Sequence, residues 1–91
     1  MMANIQGCRI YPREDGHLYL KEGDYGFDLK VGHWVVRPPD CHAGGIPNHT
    51  VIEHEDKTIT VSPSILLEDI DEQGKPKTWH GYLEHGIWRE V

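Results

Sequence analysis

Short apolar–polar runs, separated by turn residues, make up most of the chain. Phe27-Asp28-Leu29-Lys30-Val31 alternates apolar and polar, the pattern of a half-buried strand. Cys8-Arg9-Ile10-Tyr11 is a β-prone run stopped by Pro12. Asp15-Gly16 is a turn dipeptide and His17-Leu18-Tyr19-Leu20 follows it, so residues 8–20 read as a hairpin. Glu22 to Gly26 reads as loop. Trp34-Val35-Val36 ends at Pro38-Pro39, because proline offers no ladder donor. Residues 38–48 hold the densest set of breakers and read as the longest irregular segment, a place for a functional loop.

Thr50-Val51-Ile52-Glu53 and Thr58-Ile59-Thr60-Val61 are β-branched runs around the polar turn Glu55-Asp56-Lys57. If the extended path continues past Pro63, Ile59, Val61 and Ile65 share one face. Thr58, Thr60, Ser62 and Ser64 share the other. Residues 62–70 have room for one helical turn, and residues 68–77 read as a charged surface loop. Thr78 to Val91 forms a hairpin around Glu84-His85-Gly86. The expectation is a mainly β chain: one small domain over residues 1–91, six to eight short antiparallel strands, and at most one or two helical turns.

The last hairpin can be put in register from its faces. A three-residue loop with Gly86 in the left-handed position pairs Leu83 with Ile87, Tyr82 with Trp88 and His80 with Glu90. One face then collects Trp79, Gly81, Leu83, Ile87, Arg89 and Val91, mostly apolar. A two-residue loop pairs Leu83 with Trp88 and mixes the faces. The buried face sets the register, which favours the first option and makes His80 and Glu90 cross-strand neighbours.

Composition narrows the function classes. The 91 residues carry 9 Lys and Arg against 15 Asp and Glu, a formal charge of −6. A protein that tracks phosphates needs a basic stripe, so direct nucleic-acid binding is not expected. No apolar run approaches the roughly 20 residues that span a bilayer. The start, Met1-Met2-Ala3-Asn4, lacks the basic and apolar regions of a signal peptide. A soluble, cytoplasmic protein without a membrane partner is the expectation. Two cysteines, Cys8 and Cys41, are too few for a disulfide framework. Ten Gly and six Pro leave no window for a long helix.

Three groups of residues could carry chemistry. Ser64, His80 and Glu90 offer a hydroxyl, a base and a carboxylate to orient the base, the parts that nucleophilic catalysis requires. The same residues could equally end a strand and decorate a hairpin. Cys41, His49 and His54 are zinc-type ligands, with His-x(4)-His spacing between the last two. Cys41-His42 are adjacent, however, where a structural site wants ligands two to four residues apart, so no metal and no cofactor is expected. Among the aromatics, Trp34 and Trp79 read as core. Trp88, on the opposite hairpin face, reads as a surface anchor for a partner. Walker, dinucleotide-glycine, HExxH and CxxC motifs are absent.

The segment Thr58-Ile59-Thr60-Val61-Ser62-Pro63-Ser64-Ile65-Leu66-Leu67, followed by Trp79-His80-Gly81-Tyr82-Leu83-Glu84-His85-Gly86-Ile87-Trp88, resembles a family of small phage and bacterial domains. Members carry a Ser-Pro-Ser-Ile-Leu segment and then a Cys-His-x-aromatic-aliphatic-x-x-Gly segment. The resemblance covers roughly residues 49–91. Relatives occur beside bacterial ubiquitin-like conjugation genes, where a serine-peptidase role has been suggested. It implies Ser64 as nucleophile and His80 as base. Trp79 stands where relatives have a cysteine, and the upstream Cys-x-x-Cys-Gly run is reduced to Asp40-Cys41-His42-Ala43-Gly44-Gly45, so the metal site that the family pattern implies is broken here.

Two functions follow as expectations. One is a small Ser–His hydrolase of peptidase or isopeptidase type, with Glu90 or Asp56 orienting His80 and an oxyanion hole near Ile65 or Gly44-Gly45. Its size leaves little surface for a cleft, so a homodimer or partner would help build one. The other is a non-catalytic acidic phage or prophage accessory protein that binds and blocks a host defence protein, its acidic face with exposed aromatics meeting a basic surface on that partner.

Overall fold

The computed structural model describes residues 4–91. Residues 1–3, part of the Met1-Met2-Ala3-Asn4 start, lie outside them. The fold is mainly β, as the pattern predicts, and no helix occurs among the described residues. The described residues form ten strands, more than the six to eight expected, because several are only two to four residues long. No described helix is long and apolar enough to cross a membrane.

The strands are β1 (Asn4–Gln6), β2 (Cys8–Arg9), β3 (Asp24–Asp28), β4 (His33–Val36), β5 (Gly44–Gly45), β6 (Thr50–Glu53), β7 (Ile59–Ser62), β8 (Ile65–Ile70), β9 (Pro76–Glu84) and β10 (Ile87–Glu90). They form a four-stranded sheet β1-β10-β9-β8, a second four-stranded sheet β2-β3-β4-β5, and the hairpin β6-β7. All pairings are antiparallel except β2 with β3. Tyr25, Val36, Ile46, Ile59, Val61, Ile65, Trp79, Leu83 and Trp88 form one buried cluster shared by the three sheets. Within it Trp79 and Trp88 meet edge to face, with ring centroids 5.4 Å apart.

The N-terminal half departs most from the pattern. Arg13 to His17 does turn, closed by Arg13 N–H to the His17 carbonyl at 2.8 Å. But His17-Leu20 forms no strand, since Cys8–Arg9 pairs in parallel with Asp24–Tyr25 instead. Strand β3 starts at Asp24, inside the segment expected to be loop. It ends at Asp28, whose carboxylate accepts the N–H of Lys30 and of Val31 and turns the chain. The hairpin β6-β7 follows the β-branched pattern closely, with Val51 opposite Val61 and Ile52 opposite Thr60.

Residues 65–70 are a strand, in place of the helical turn and the start of the loop expected there. The last hairpin has a two-residue loop, His85-Gly86, with Glu84 opposite Ile87 and Leu83 opposite Trp88. Both loop residues have positive φ, 49° and 75°, matching the turn that follows strand twist. This corrects the three-residue register. The reason is the indole of Trp88, which is 1 % exposed. Burying it against Leu83 outweighs bringing Ile87 and Arg89 inward. Trp88 is therefore core and no surface anchor, and its N–H donates to the Gly23 carbonyl at 2.8 Å.

Candidate functional site

The sheet β1-β10-β9-β8 has one face in the core and one outside. On β8, Ile65 and Leu67 point inward; on β9, Trp79, Gly81 and Leu83 do so. Leu66 and His80 are direct cross-strand partners on the outer face. Ser64, two residues before Leu66, is the diagonal neighbour of His80 on that face, within reach across a ladder. The polar face of residues 58–64 thus does continue past Pro63, across a cis Ser62–Pro63 peptide bond, and delivers Ser64 to the imidazole.

Ser64 Oγ lies 2.9 Å from His80 Nε2. His80 is exposed and Ser64 half-buried, and neither side chain bonds to any other described residue. With the ring proton on Nδ1, Nε2 accepts the Ser64 hydroxyl, the polarity that general-base activation requires. The Ser64 carbonyl is held separately, accepting the His49 Nε2–H at 3.1 Å. His49 therefore braces the backbone of the serine without touching its hydroxyl.

The structure does not bring Glu90 to this pair. In the corrected register Glu90 stands opposite Gly81, so its side chain leaves from the opposite face to His80. Asp56 does not reach His80 either. Its carboxylate accepts the hydroxyl and the N–H of Thr58 at 2.6 and 3.0 Å, which hold it below the usual carboxylate range. Gly44 and Gly45 pair with Val36 and Val35, and Gly44 packs against Leu67 on the inner face. Neither glycine N–H bonds to Ser64 among the described residues.

The possible zinc ligands lie apart. Cys41 is buried, and burial followed by the charge of Asp69 pushes its thiol up. His49 is on Ser64. His54 donates or accepts at Thr60 Oγ1 at 2.6 Å and stacks on His85, with ring centroids 3.9 Å apart. No group of three or more metal-ligating side chains occurs among the described residues.

One constellation escaped the sequence reading. Asp69 accepts the N–H of His42 at 2.9 Å, the ring Nδ1–H of His42 at 2.6 Å and the N–H of Ile70 at 2.8 Å. The two backbone bonds are the largest causes that hold its carboxyl far below the usual range. Its side chain is 8 % exposed, whereas that of His42 is 76 % exposed. The pair sits in a cavity of about 430 Å³ lined also by Arg37, Asp40, Cys41 and Lys77. Ser64 and His80 do not line this cavity. The breaker-rich loop 38–48 carries His42, but nothing in the sequence pairs His42 with Asp69.

Comparison with known proteins finds no matching family model, no matching curated protein and no matching solved structure.

Proposed function

We propose that this protein is a small serine hydrolase acting on peptide or isopeptide bonds, with Ser64 as nucleophile and His80 as general base. The supporting observation is the 2.9 Å contact between Ser64 Oγ and His80 Nε2, accessible and unshared by other side chains. In this reaction the Ser64 oxygen bonds to the substrate carbonyl carbon while its proton passes to His80 Nε2. The C–N bond then breaks, and the leaving amine takes that proton. Water releases the acyl group from Ser64 and returns a proton to the hydroxyl. The catalytic pair is a dyad, since no carboxylate bonds to His80 among the described residues. It would act in the cytoplasm, where an exposed Cys8 and an unpaired Cys41 stay reduced.

A fluorophosphonate probe tests this reading. Wild-type protein is expected to be labelled on Ser64. Labelling should vanish in Ser64→Ala and fall sharply in His80→Ala, while both variants stay folded. Folded wild-type protein that resists the probe over hours would overturn it.

A second reading is a non-catalytic acidic protein that binds a basic partner, the expected phage accessory role. The exposed Leu66 and Ile70, 62 % and 60 % accessible on the outer face of β8, support it. Such a protein would keep its partner in Ser64→Ala.

A further inference from the structure

Strand β8 is an edge strand, paired only with β9. The direction of its main-chain groups follows from one bond. Val91 N–H donates to the His80 carbonyl at 2.9 Å, so the peptide groups of His80 point toward β10. In an antiparallel ladder these directions alternate. Those of Trp79 and Gly81 therefore point to β8, where they meet Leu67 and Ile65. The N–H and C=O groups of Leu66, Glu68 and Ile70 point away from the sheet.

Each end of this edge is closed by the protein itself. The Ser64 carbonyl is capped by His49, and the Ile70 N–H by Asp69. The four groups between them, N–H and C=O of Leu66 and of Glu68, have no partner among the described residues. Natural edges are usually blunted by proline, lysine, a bulge or a covering loop. Here the open window carries Leu66, Leu67 and Glu68 and begins two residues after Ser64.

We propose that the β8 edge binds an extended, cationic peptide as an added strand, so that the peptide backbone runs past Ser64. The main-chain groups of Leu66 and Glu68 supply four hydrogen bonds, and Leu66 supplies an apolar contact. The occupant is basic because Glu68 is exposed on the outer face of the window, Asp71 and Glu72 follow the strand, and the chain carries −6. Ser64 and Glu68 are four strand residues, about 13 Å, apart. A basic side chain beside Glu68 therefore sits about four residues from the bond at Ser64. A second copy is a poor occupant, since two chains of −6 repel. That the bound peptide is a substrate rests on the hydrolase reading; that it binds at this edge does not.

The test uses Ser64→Ala protein and two fluorescein-labelled eight-residue peptides, one Lys- and Arg-rich and one with Glu and Asp in those places. Anisotropy should show the basic peptide binding at least tenfold tighter, with the preference shrinking at high salt. Leu66→Pro removes one outward N–H without touching the β9 ladder, and should weaken binding at least tenfold at an unchanged melting temperature. N-methylation of alternate peptide amides should weaken it in one phase and spare it in the other.

Equal affinity for both peptides, or no effect of Leu66→Pro in folded protein, would overturn the proposal. So would a concentration-dependent dimer abolished by Leu66→Pro, which would give the edge to a second copy. The probe separates the two claims. Peptide binding without fluorophosphonate labelling removes the hydrolase and keeps the edge. Labelling without peptide binding does the reverse.

Discussion

Glu90 stands directly across the β9–β10 ladder from Gly81, one residue beyond His80, and so on the other face of the sheet. A single-residue difference in register decides whether the imidazole has a carboxylate partner. Under the proposed hydrolase function, Glu90→Gln should accordingly leave both hydrolysis and probe labelling unchanged, and stability within about 0.5 kcal/mol. His80→Gln should lower the rate about 10²–10⁴-fold, the usual worth of a general base. Equal losses in the two variants would restore Glu90 to the site.

Trp88 joins the two large sheets, packing on Trp79 in one and bonding to Gly23 beside β3 of the other. Trp88→Phe keeps much of the packing but strands the Gly23 carbonyl, and should cost about 1–3 kcal/mol. Trp88→Ala should cost about 3–5 kcal/mol, enough to unfold so small a chain. Urea denaturation followed by circular dichroism measures both. A Trp88→Ala protein as stable as wild type would contradict the burial.

Gly86 closes the last turn at φ 75°, and a Cβ there would lie 2.7 Å from the Tyr25 hydroxyl oxygen. Gly86→Ala combines a left-handed backbone with a clash. It should cost more than about 1 kcal/mol, whereas Gly74→Ala, with the same sign of φ but open space around it, should cost less. The difference in thermal midpoint between the two variants is the measurement.

Asp69 anchors the loop that carries Cys41 and His42. Its folded-state carboxyl is held down, chiefly by the N–H groups of His42 and Ile70. A depressed carboxyl contributes its full stabilisation above the unfolded value of about 4, and loses it as pH falls through the lower folded value. Asp69→Asn should therefore be clearly less stable than wild type at pH 7. The gap should narrow from about pH 4 downward. Urea midpoints at pH 7, 4 and 2.5 would show this, and a gap of constant size would count against it.

The strands that could be read from the residues were those whose two faces differ. Ile59–Ser62 buries Ile59 and Val61 and turns Thr60 and Ser62 outward, one residue on from the expected Thr58–Val61, and Thr50–Glu53 forms where expected with Val51 inward and Ile52 exposed. Ile65–Ile70 does not separate its faces, because Leu66 and Ile70 point to solvent and Asp69 points inward. Its inward carboxylate is held by the adjacent Ile70 N–H and by His42, a partner 27 residues away that no local pattern reveals. The register of the last hairpin is hidden for a related reason. A count of apolar residues per face weighs them equally, whereas the indole of Trp88 outweighs Ile87 and Arg89 together. The Ser64–His80 contact does not depend on that register, because it rests on the β8–β9 pairing and not on β10.

Among the described residues, strand Asn4–Gln6 finds its ladder partner in Ile87–Arg89, far along the chain. During synthesis β1 is made well before that partner and must wait until about 80 further residues have been added. At roughly 5–20 residues per second that delay is several seconds. For most of it the sheet lacks β9 and β10, and Ser64 has no imidazole beside it until His80 is made. The Ser64–His80 pair rests on β8 and β9 alone, so it can form before β1 has a strand to join.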